Sequence, residues 1–175
     1  MDPILQQLQI EIDDAVQGLD STQTQATPTA RLDKWSIQQI IQHLCLTYAS
    51  TSDVIETRLA KCRPTQAKPT LQQRLAQFYV TRLGLFPHGR NAPEDVVPPH
   101  PAPPLSGDDL TCSVAEHLAR VDCLLNNAEA LFGPGPCVTH FVLGPLSVHQ
   151  WRRFHLVHGT HHVRQILAIR ASHNL

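Results

Sequence analysis

The sequence predicts an all-α protein, an antiparallel four-helix bundle with one additional short helix and a proline-rich crossover connection. Three observations carry this prediction. Four long stretches place apolar residues at alternating three- and four-residue spacing, the signature of an amphipathic helix. Each stretch, and one shorter one, follows an Asp, Ser or Thr suited to cap a helix N-terminus. No segment sustains the two-residue alternation of a half-buried strand.

Asp2-Pro3 opens the first helix as N-cap and first-turn proline, and Leu5, Leu8, Ile12, Val16 and Leu19 extend it to about residue 19, with Gly18 weakening the last turn. The polar run Ser21 to Ala30, with Pro28, reads as a loop. Ser36 and Gln39 form a capping box for the second helix, whose apolar face (Ile37, Ile40, Ile41, Leu44, Tyr48, Ile55, Leu59) runs to about Lys61. Pro64 and Pro69 interrupt the chain. Thr70 then caps a shorter helix, LQQRLAQFYVTRLGLF, with Leu71, Leu75, Phe78, Arg82 and Leu85 at helical spacing. From Pro87 to Pro104 seven of eighteen residues are proline, which excludes helix and central strand. Residues 87–105 therefore read as an extended strap within one domain, 1–175, lining the rim of a site. Ser106 and Asp109 start the next helix, striped by Leu110, Val114, Leu118, Val121, Leu125, Ala128 and Leu131 and ended near Phe132 by Gly133-Pro134-Gly135-Pro136. Cys137 to Gly144 is short and β-prone, an irregular connection or a minor strand. Ser147, boxed with Gln150, caps the last helix, which runs to Arg170.

Composition narrows the function. Net charge is −1 and no basic tract appears, which gives no electrostatic footprint for nucleic acid or an anionic membrane. The N-terminus lacks the basic and apolar regions of a signal peptide, and no run approaches the roughly 18 apolar residues of a membrane span. The expected location is cytoplasmic. The five cysteines are widely spaced with no CxxC pair, and read as free, small hydrophobes rather than a zinc ribbon or redox dithiol.

The last helix carries five of the eleven histidines: His149, His155, His158, His161 and His162. At about 100° per residue, His155, His158 and His162 fall within roughly 60° of one another, along the face shared with Trp151 and Ile169. Buried imidazoles need partners, and one divalent ion would satisfy several together. His158 and His162 stand four apart, the helical spacing at which two imidazoles reach one ion.

Two motifs now combine: Trp35-Ser36 followed by His43-Leu44, and His158-Gly159-Thr160-His161-His162-Val163-Arg164-Gln165-Ile166. Together they resemble the DinB-like superfamily of metalloproteins. The common motif has Arg-Gly-Gln after the second histidine; Val163-Arg164-Gln165 resembles a branch of unknown function. The resemblance implies a four-helix bundle holding a divalent metal through one histidine of the second helix and two of the last, which are His43, His158 and His162 here; such a nitrogen set suits Zn, Ni, Fe or Mn alike. Three nitrogens from two elements form an open site with room for water or substrate. His155 is a candidate fourth ligand or supporting donor, and with His161 a candidate catalytic group; His161 is expected to face a neighbouring helix or pocket wall. Arg164 and Gln165 are expected to make hydrogen bonds that fix the helix. Trp35 and Trp151 read as core anchors, and His88, His100, His140 and His173 as solvated loop residues.

An open three-His ion lowers the pKa of bound water, which leads to metal-dependent hydrolysis. It also holds a thiolate, which leads to low-molecular-weight thiol S-transfer, an activity that the resemblance permits. A non-catalytic metal- or ligand-binding bundle is the third reading. The expected partner is a small-molecule substrate of unspecified class, with no nucleic acid and no membrane, and a homodimer left open.

Overall fold

The structure is a computed structural model and describes residues 1–30, 34–86 and 92–175. Within them the protein is mostly helical, with five α-helices and one small two-stranded sheet. Helix α1 (Pro3–Val16) begins where the Asp2 carboxylate accepts the Ile4 N–H, and proline fills a first-turn position whose N–H would have no helical partner. It ends before the expected Leu19, because Gly18 takes φ +76°, a left-handed conformation that stops a helix. Helices α2 (Ile37–Ala60), α3 (Leu71–Gln77), α4 (Gly107–Phe132) and α5 (Val148–His173) each start with a complete capping box, from Ser36/Gln39, Thr70/Gln73, Ser106/Asp109 and Ser147/Gln150. Helix α5 continues past the expected Arg170 and closes at Asn174, left-handed at φ 56°, whose N–H bonds the Arg170 carbonyl.

The long helices pack α1 on α5 and α4, and α2 on α4 and α5. Polar contacts fix their directions. Arg152 near the start of α5 reaches Asp2 (3.4 Å), while Arg170 near its end bonds the Ala15 carbonyl (2.8 Å), so α1 and α5 run the same way. Gln38 bonds the Leu105 N–H (2.8 Å) and Glu56 pairs with Arg120 (3.0 Å), so α2 and α4 also run the same way. Against α2 and α4, α1 and α5 are reversed, so the bundle is not antiparallel throughout as expected but combines two parallel pairs with antiparallel ones. The long crossovers make such parallel neighbours available. Arg152 is itself buried, and its contacts to Asp2, Glu129 (3.2 Å) and Asn126 (2.6 Å) tie α1, α4 and α5 together.

The core is the sum of the apolar stripes: Leu5, Leu8, Ile12, Ile41, Leu44, Tyr48, Leu118, Leu125 and Ile166 are all fully buried. Each such side chain contributes roughly 1.5–3 kcal/mol. Gly159 on α5 faces Leu8, and a Cβ there would overlap the leucine side chain. The glycine between the two α5 ligand candidates thus serves the close approach of α1.

Three expectations change. The helix after Thr70 is α-helical only to Gln77 and continues as a π-helical turn, Phe78–Arg82. Its apolar row faces solvent: the chain docks through Gln77, Val80 and Thr81, and the Gln77 amide donates to the Leu143 and Pro145 carbonyls (2.7 and 3.0 Å). The β-prone stretch forms a strand, β1 (Val138–His140), paired antiparallel with β2 (Gly144–Leu146) in the register Val138 to Leu146 and His140 to Gly144. The second strand was not expected, because Gly-Pro disfavours strand. Of the free cysteines, Cys45 and Cys137 are buried as small hydrophobes, but Cys62, Cys112 and Cys123 are exposed.

Residues 92–105 of the proline-rich connection lie along α2. A 3-10 turn, Glu94–Val96, reaches its second turn, and the Gln38 amide donates to the Pro103 carbonyl (2.9 Å). The first residues of the strap, 87–91 with His88, lie outside the described residues. Among the described residues, no helix is long and apolar enough to cross a membrane.

Candidate metal centre

His43 stands in the second turn of α2; His158 and His162 stand one turn apart on α5. Because α2 and α5 are antiparallel neighbours, the three side chains meet inside the protein. All are buried, at 4, 5 and 7 % exposure. One ligand atom of each lies within 4.8 Å of the others, and the group could hold a metal ion.

The ring nitrogens point inward. His43 Nε2 and His162 Nε2 approach His158 Nε2 to 3.3 and 3.1 Å. Tetrahedral ligands at zinc–nitrogen bonds of about 2.0–2.1 Å stand about 3.3–3.4 Å apart, so these separations suit a shared ion. The tautomers follow from the opposite ring edges. His43 Nδ1–H donates to the Val96 carbonyl (2.8 Å), and His162 Nδ1–H donates to Gln165 Oε1 (2.8 Å). Both acceptors lack a proton, so both histidines carry theirs on Nδ1 and aim an Nε2 lone pair at the common point. Gln165 is held in turn, its amide donating to His161 Nε2 (3.2 Å). His158 differs: its Nδ1 is buried without a hydrogen-bond partner.

Burial disfavours the imidazolium form of all three. His43 is shifted down by desolvation, partly opposed by its bond to Val96; His158 is well below the ordinary 6.5 through desolvation and then its histidine neighbours; His162 is lowered to about 3 by desolvation and His43. Neutral imidazoles are the form that binds metal.

Aromatic rings enclose the cluster. Phe86 (4.9 Å) and Phe154 (5.5 Å, stacked with its plane nearly parallel) flank the His158 ring, and Trp35 lies 4.9 Å from His43. Trp35 is half-buried and beside a ligand candidate, rather than an anchor deep in the core; Trp151 is the buried one. Phe86 and His161 also line a groove of about 280 Å³, with Tyr79, Leu85, Arg153 and Arg164. None of the three histidines lines it, but Phe86, which flanks His158, does. A larger cavity of about 640 Å³ opens near Ile4, Thr81 and His149 and touches none of them.

The remaining candidates separate. His155 does not join the three-nitrogen group: it is fully buried one turn earlier, 5.3 Å from the Tyr48 ring, with neither ring nitrogen hydrogen-bonded. His161 faces Phe86 (5.2 Å), the wall expected of it. Gln165 accepts the His162 Nδ1–H within the helix, while Arg164 is exposed on the groove. His140 is not a solvated loop residue: it is buried, its Nδ1 accepts the Val142 and Leu143 N–H groups, and desolvation lowers it to about 4. His100 is exposed, and His173, also exposed, donates to the Thr27 carbonyl. Sequence reasoning missed Val96 and Phe86. A backbone carbonyl leaves no mark on residue identity, and Phe86 reads as any apolar residue.

No curated protein matches the chain, and no solved structure matches it. One family model does, described as a protein of unknown function (DUF1569), over residues 4–168. That match includes His43, His158, His162 and every element that positions them, and the chain belongs to the DUF1569 family.

Proposed function

We propose that this chain is a divalent-metal-binding protein of DinB-like type, a four-helix bundle whose open three-His site serves metal-dependent hydrolysis. The observation that carries the reading is the convergence of three buried Nε2 atoms, two of them held as lone pairs by Nδ1–H bonds to Val96 and Gln165. His43, His158 and His162 would hold the ion, with Zn, Ni, Fe and Mn all suited to nitrogen donors. A bound ion would supply Lewis acidity and an activated water. The chain's own part is orientation and exclusion: the strap carbonyl and Gln165 fix two rings, while Phe86, Phe154 and Trp35 limit water around them.

Low-molecular-weight thiol S-transfer is the second reading. It is favoured by one feature: among the described residues, no carboxylate joins the three-His group to act as a base. A metal-held thiol is deprotonated without one.

Elemental analysis of the purified protein tests the shared premise. About one first-row divalent ion per chain is expected, and its loss in the His43→Ala/His158→Ala double variant. Stoichiometric metal retained in that variant would overturn the site. Metal-dependent turnover of simple esters then supports hydrolysis, whereas consumption of a small thiol with an electrophile supports transfer. A metallated protein that does neither is the non-catalytic binding bundle.

A further inference from the structure

The segment between α2 and the strap is built inside out. Helix α3 and its π turn dock through Gln77, Val80 and Thr81, and leave their apolar row outside. Leu71, Leu75 and Phe78 are 75, 65 and 57 % exposed, and Tyr79, Leu83 and Leu85 are exposed beside them. The hairpin tip, pinned to α3 through Gln77, adds Phe141 at 73 % and Val142. Exposed apolar residues scattered singly need no explanation, but a contiguous row on one short helix marks a contact surface.

Charge identifies what the surface fits. Between Glu56 and Glu94 the sequence has no acidic residue and seven basic ones. Lys61, Arg63, Lys68, Arg74 and Arg82 are all exposed there. The other seven basic residues share the rest of the chain with all fifteen acidic ones. The near-zero net charge thus hides a basic region carrying an apolar ridge. Arg74 and Arg82 lie on or beside that ridge in helical register with Leu71, Leu75 and Phe78. Self-association across this face is disfavoured, because an antiparallel contact centred on Phe78 sets Arg74 of each copy against Arg82 of the other.

We propose that α3, its π turn and the hairpin tip form a peripheral docking face for an anionic lipid bilayer. Leu71, Leu75, Phe78 and Phe141 enter the headgroup–acyl boundary, and the arginines lie along it with their guanidinium groups on lipid phosphates. The surrounding lysines and arginines add attraction to the negative surface. The protein rests on the membrane and does not span it.

Co-sedimentation of the full chain with vesicles tests this. Binding is expected to phosphatidylcholine vesicles containing about 30 mol% phosphatidylserine, little to phosphatidylcholine alone, with marked weakening at about 0.5 M salt. Leu75→Asp/Phe78→Asp and Arg74→Glu/Arg82→Glu should each weaken binding about tenfold or more, since each removes one of the two contributions. Both pairs are exposed, so helix content and bound metal should stay at wild-type levels; a variant that loses either is replaced by Phe141→Asp on the hairpin. Equal sedimentation with both vesicle types, or with none, would overturn the proposal. So would a stable dimer in sedimentation velocity that the Leu75→Asp/Phe78→Asp variant dissociates, because the face would then belong to a second copy.

Discussion

His155 shows how one residue can couple the interior to pH. Its ring is fully enclosed, neither nitrogen has a hydrogen-bond partner, and the hydroxyl of the nearby Tyr48 is also buried without one. Desolvation, then His140, lowers its pKa to about 3 from the ordinary 6.5. The unfolded chain therefore takes a proton at this residue below pH 6.5 while the native state does not, so its contribution is present above 6.5 and is lost as pH falls toward 3. By about pH 5 the loss is about 2 kcal/mol from this group alone. Urea unfolding of metal-free protein at about pH 7 and pH 5 should show a shallower difference in His155→Leu than in wild type. An identical difference would mean that the imidazole is not held neutral. Gln165 makes a separate prediction. Replacing it with leucine removes the acceptor for His162 Nδ1–H and should weaken metal binding about 10- to 100-fold in a chelator competition, with the three ligands intact.

Among the elements, α5 was the most legible. Its cap, its start and its histidine face follow from Ser147, Gln150 and the spacing of His155, His158 and His162. Gly159 is the exception, since only the position of α1 explains it. An alanine there gains helix propensity of about 1 kcal/mol but overlaps Leu8, and overpacking costs roughly 1–3 kcal/mol. Gly159→Ala should therefore lower the melting temperature, and a rise would show that α1 yields at little cost. Helix α3 was legible in its cap and its periodicity but not in its orientation. Spacing tells which residues share a face; it does not tell whether that face meets a neighbour. Gln77 settles it, because its amide satisfies two hairpin carbonyls that no leucine could.

For the whole molecule, the three histidines join α2 to α5, elements separated by 115 positions in the chain where His43 meets His158. An ion held between them, as proposed, would bind only the folded state, so its removal should lower stability. At free metal about 100-fold above the dissociation constant the linkage is about 2.7 kcal/mol, or roughly 5–10 °C for a chain of this size. Calorimetry before and after chelation should show that drop, recovered on adding metal back. His43→Ala protein should melt at the same temperature with and without chelator.

What the sequence alone determined was local: where helices start, which residues line each stripe, and that one histidine pair on α5 has the spacing for a shared ion. Those features depend on backbone hydrogen bonding and helical repeat, which act over a few residues. Tertiary structure decided the rest. It placed the Val96 carbonyl behind His43, turned the leucines of α3 outward, buried His140 under its hairpin, and kept His155 out of the three-nitrogen group. Each of these depends on what a side chain faces across the fold. Direction and distance between elements arise only when the helices pack.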